Sequence, residues 1–114
     1  MSTTIFYKVR GSAEWTKVEV EAYGIDRHYL ARGMLQSLSG WEGCGFIAVG
    51  HIDRTRKIEF VVYSKGGPGD RKSEMMILVY PVGSEEVTVE DCERGEALVD
   101  YEKCNAGRQS VGRR

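Results

Sequence analysis

The sequence predicts an α+β domain: a single antiparallel sheet of about five strands with one helix packed on one face, in the order β-β-α-β-β-β. Three observations carry this. The first twenty or so residues alternate apolar and polar side chains, the period of a half-buried strand. Between Asp26 and Trp41 apolar residues recur at helical spacing instead. Three later runs are apolar at nearly every position, the pattern of strands covered on both sides.

Taken in order, Ile5, Tyr7 and Val9 alternate with Phe6, Lys8 and Arg10, and Gly11-Ser12 turns the chain. Thr16, Val18, Val20 and Ala22 then alternate with Lys17, Glu19 and Glu21, giving the second arm of a hairpin with a solvated outer face. Asp26 is a good N-cap, because its carboxylate can accept a bond from a free amide of the first turn. Leu30, Met34, Leu38 and Trp41 follow on one stripe, widened by Ala31 and Leu35, and Gly40 and Gly43 end the helix. Residues Gly45 to Ile52, Lys57 to Ser64 and Glu74 to Val82 are the remaining strands. The short polar link 53–56 suits a hairpin, and the glycine-rich link 65–72 is a longer loop. PAS-like and profilin-like domains share this element order, a likeness of fold that carries no function.

In the last three strands both faces are apolar: Phe46 and Ala48 against Ile47 and Val49, Phe60 and Val62 against Val61 and Tyr63, Met75 and Ile77 against Met76 and Leu78. One helix covers one side. The other cover is expected from the C-terminal segment, through Ala97, Leu98, Val99 and Tyr101, or from a second protein chain such as a homodimer partner. Val87 and Val89 fit a sixth strand, while Glu90 to Cys104 fit an acidic helix against which Gly95 argues. Residues 1–104 are expected to form one domain and residues 105–114 a flexible basic tail.

A hydrophobic content of 41% with 29% charged residues is ordinary for a soluble globular domain. No apolar run is long enough to span a bilayer and no secretory leader is evident, so no membrane association and a cytoplasmic location are expected. Cys44, Cys92 and Cys104 form an odd, sparse set that reads as reduced thiols. Charge is segregated. Residues 1–84 carry eleven Lys/Arg and nine Asp/Glu, whereas residues 85–102 carry eight acids and one Arg, and residues 103–114 carry four basic residues.

No catalytic constellation survives simple geometry. Cys44, between two glycines, lacks a base, because His51 and His28 each lie roughly 20 Å away at strand and helix rises. Asp26, His28, His51 and Asp53 could line one edge as an acid/base or metal site, but no HxH or HExxH spacing supports a ligand set, and the ordinary reading is a cap and a hairpin turn. The 66–69 loop leads into a strand rather than a helix, which disfavours a phosphate cradle. Neither catalytic residues, metal ligands nor cofactors are therefore assigned.

The expected function is a small non-enzymatic protein that docks on a macromolecular partner, as an inhibitor or accessory factor of a nucleic-acid-handling complex. Its acidic face would be Glu85, Glu86, Glu90, Asp91, Glu93 and Glu96. The alternative is a nucleic-acid-binding module whose basic loops present Arg54, Arg56, Lys57, Lys65, Arg71 and Lys72. A further alternative is a small enzyme with a His/Asp site at the His51 edge.

Overall fold

A computed structural model of the protein describes residues 2–21, 34, 38, 40–41, 45–66, 74–83 and 85–105. It contains the strands β1 (Ser2–Val9), β2 (Thr16–Glu21), β3 (Gly45–Asp53), β4 (Ile58–Ser64) and β5 (Met75–Pro81). The helices α1 (Val89–Leu98) and α2 (Tyr101–Asn105) follow. The strands form one antiparallel sheet in the order β2-β1-β5-β4-β3. Two local hairpins, β1–β2 and β3–β4, are thus joined side by side by β5.

Every residue of β5, and every residue of β4 except Glu59, is buried. That is why these strands are apolar on both faces: each face has its own core. One core gathers Ile5, Val20, Val61, Tyr63, Met76, Leu78 and Tyr80 under Met34 and Trp41. The other gathers Ile47, Ala48, Ile58, Phe60, Val62, Ile77 and Val79 under Val87 and Cys92. Each Val, Ile, Leu, Phe or Met among them, taken out of water, contributes on the order of 1.5–3 kcal/mol.

The expected helix over Asp26 to Trp41 falls largely outside the described residues. Within it Met34 has helical backbone and is fully buried, Leu38 is half-buried, and Trp41 is buried, all against the first core. Gly40 takes a left-handed φ of 84°. Residues 106–114 also lie outside the described residues, and Asn105, expected to open a tail, ends α2.

The second cover is the C-terminal segment, folding back as α1. No sixth strand forms at Val87 and Val89: Val89 opens α1 and is half exposed. Val99 and Tyr101 meet the sheet as expected, but Ala97 and Leu98 face solvent, and Val87 and Cys92 supply the rest of the cover. Gly95 does not break α1. It is buried where the helix presses on the sheet, and a Cβ there would lie 2.6 Å from Ile52 Cδ1.

Two bulges re-aim β3. The pairs Phe46↔Tyr63 and Ala48↔Val62 leave one extra residue between them, so Ile47 and Ala48 project together into the second core rather than alternating. The second bulge lies between His51 and Asp53, which pair with Glu59 and Ile58.

Candidate functional site

The acidic and basic residues singled out by sequence meet where the β3–β4 turn touches the start of α1. Asp53 closes the turn: its Oδ1 accepts from Thr55 N (3.0 Å), Thr55 Oγ1 (2.7 Å) and Arg56 N (3.1 Å). These bonds, that of the Thr55 hydroxyl foremost, hold its carboxyl below the usual range. Lys57 leaves the turn with φ of 57°, a left-handed conformation uncommon for a side-chain-bearing residue.

Arg56 then reaches across to α1. Its Nη1 donates to Asp91 Oδ1 at 2.8 Å and its Nη2 to the Glu86 carbonyl at 2.7 Å. Arg94 Nη2 donates to the same Asp91 oxygen at 2.9 Å and lies 3.9 Å from Asp53 Oδ2. Asp91 is also the third residue of a capping box: its Oδ2 accepts from Thr88 N (2.9 Å), and Thr88 Oγ1 accepts from Asp91 N (3.1 Å). Burial works to raise the Asp91 pKa, but the Thr88 amide and the two guanidinium groups outweigh it and bring the carboxyl down to about 2. The bond to Asp91 in turn raises the pKa of Arg56.

This geometry divides the expected acidic face. Asp91 is 1% exposed and belongs to the interior, a correction to its place among the surface acids. Glu96 is tied to Lys8 at 2.7 Å, and Glu85 is half-buried. Glu86, Glu90 and Glu93 face solvent, and their side chains make no ion pair among the described residues. Glu90 and Glu93, three residues apart on α1, share a face.

The described residues of the basic loops are not brought together. Arg54, Arg56 and Lys57 sit at one end of β4 and Lys65 at the other, separated by roughly 20 Å of strand. Arg56 is engaged as above, and Lys65 pairs with Glu74 at 3.1 Å beneath the Trp41 ring. Arg54 and Lys57 stay exposed. Arg71 and Lys72 lie outside the described residues.

The His/Asp edge is taken apart by the second bulge. Asp53, paired with Ile58, lies on the α1 side of the sheet, whereas His51, paired with Glu59, lies on the other. Asp26 and His28 lie outside the described residues. A different row emerges in place of the expected one. His51 Nδ1 is 3.3 Å from Glu59 Oε2, and the buried Tyr80 hydroxyl donates to Glu59 Oε1 at 3.1 Å. The three residues stand side by side on β3, β4 and β5. One signal for this row was available in sequence: His51 and Glu59 are equally distant from Thr55, the middle of the turn.

Cys92 is fully buried, and burial with the neighbouring Asp91 charge pushes its thiol up to about 12, so it packs as a small apolar group. Cys44 lies outside the described residues. Among the described residues no group of three or more His, Cys, Asp or Glu is placed to hold a metal ion. None of the described helices is long and apolar enough to cross a membrane. No protein-family model, curated protein or solved structure matches the chain.

Proposed function

We propose that the chain is a non-enzymatic binding protein that docks on a basic macromolecular surface through the outer face of α1. The carrying observation is that Glu90 and Glu93 on α1, and Glu86 just before it, are exposed and make no ion pair among the described residues, while neighbouring acids such as Asp91 and Glu96 are consumed by internal partners. Charges held on a helix that is itself clamped to the sheet present a fixed pattern, which favours selective docking over diffuse attraction. A positively charged groove of a nucleic-acid-handling protein has the matching chemistry, which makes an inhibitor or accessory role the reading best supported.

The test is capture from host lysate with and without nuclease, comparing the native chain with E90K/E93K. A protein retained by the native chain and lost by the variant supports the reading. Equal retention by both, or loss of every bound protein with nuclease, overturns it and moves weight to nucleic-acid binding through Arg54 and Lys57.

A second reading rests on the His51–Glu59–Tyr80 row, in which a half-exposed imidazole is oriented by a carboxylate that a buried tyrosine holds in place. Such an arrangement suits His51 to proton transfer in a small enzyme. Carbethoxylation of His51, read by peptide mass, should slow several-fold in Glu59→Gln; an unchanged rate removes the reading.

A further inference from the structure

The two edges of the sheet are unlike. The β3 edge is interrupted by two bulges and is approached by α2. Among the described residues the β2 edge has neither device: β2 pairs with β1 in unbroken register from Thr16 to Glu21, and nothing described pairs with its other side. Along it Thr16, Lys17 and Glu19 are exposed and Val18 is half-buried, and neither Lys17 nor Glu19 joins an ion pair among the described residues. An edge of regular register with no partner strand among the described residues is a template for another strand.

We propose that β2 pairs antiparallel with β2 of a second copy, with Val18 on the two-fold axis, making one continuous sheet through the dimer. The charge pattern selects both partner and register. A two-fold perpendicular to the sheet keeps like faces together and can be centred on any one residue of the strand. Centred on Val18, it sets Lys17 of each copy opposite Glu19 of the other, two favourable cross-strand pairs with no like-charge pair. Centred on Lys17 or Glu19, it sets that residue against itself. Centred on Val20, it sets Glu19 against Glu21. Parallel pairing either opposes identical charges in register or, shifted by two, places Glu19 against Glu21. Only the Val18 register satisfies Lys17 without opposing like charges. The interface lies apart from the outer face of α1, so its fate is independent of the docking reading above.

The full chain, studied by sedimentation equilibrium in low salt, should form a concentration-dependent dimer that half a molar sodium chloride weakens. K17E and E19K should each raise the dimer Kd by roughly tenfold or more, because both pairs become repulsive. The double reversal K17E/E19K restores opposite charges in the same register and should recover the native Kd. Both positions are exposed, and unchanged circular dichroism would show that the variants fold. A chain that stays monomeric up to about millimolar concentration overturns the proposal. So does a dimer indifferent to either single reversal, or one whose β2 amides gain no hydrogen-exchange protection on association.

Discussion

Asp91 is the residue on which the attachment of the C-terminal helix turns. It caps α1, pairs with two arginines and is almost wholly out of water. Replacing it with Ala removes the cap and leaves Arg56 and Arg94 without their shared acceptor, a loss of about 2–4 kcal/mol in urea unfolding. Its titration has a defined sign. The folded carboxyl lies at about 2 and the unfolded one near the ordinary aspartate value of 3.8, so between these limits the unfolded chain binds more protons. The stabilisation, roughly 2 kcal/mol, is fully present above about pH 5 and fades as pH falls through 3.8 toward about 2. Denaturation midpoints measured from pH 5 to 2 should fall, and fall less steeply in D91A. Lys57 offers a test of opposite sign: its left-handed φ costs about 1 kcal/mol, so Lys57→Gly should raise the midpoint by a comparable amount.

At the scale of elements, α1 shows why a helix can be hard to read and still be well specified. Its inward face is Asp91, Cys92 and Gly95, none of which scores as an apolar stripe. Asp91 is there for the cap and the arginines, and Gly95 because the helix axis comes close enough to β3 and β5 that Ile52 and Val79 fill the space a side chain would need. The Thr88-x-x-Asp91 spacing is a capping-box signal lying in plain view, whereas the glycine pointed the wrong way because close approach belongs to the tertiary structure. Gly95→Ala should gain up to about 1 kcal/mol of helix propensity yet lose about 1–3 kcal/mol to overpacking against Ile52, for a net loss. Ile52→Val removes the clashing Cδ1, so the double variant should be more stable than the sum of the single changes predicts. Equilibrium unfolding of the four proteins of that cycle measures the coupling directly.

For the molecule as a whole, period-two alternation and the doubly apolar strands were enough to expect an antiparallel sheet with covers on both faces. What escaped were the properties that depend on neighbours distant in sequence. A bulge exists only relative to a partner strand, so the shared facing of Ile47 and Ala48 and the separation of His51 from Asp53 could not be read from β3 alone. Likewise the His51–Glu59–Tyr80 row needs the register of three strands at once. The cover itself is testable at this scale. A chain ending at residue 86 would leave Phe60, Ile77 and Val79 without Val87 and Cys92 above them. Such a chain should bind a hydrophobic dye and aggregate, and persistence of a stable monomer would show that α1 is dispensable.

The position of β5 also bears on how the molecule is made. A ribosome releases both hairpins first, and neither shares an edge with the other until β5 emerges to lie between β1 and β4. The pairing of Phe6 with Val79 spans most of the chain, so closure is a late, non-local event. During synthesis the nascent protein is two unfinished halves awaiting a keystone.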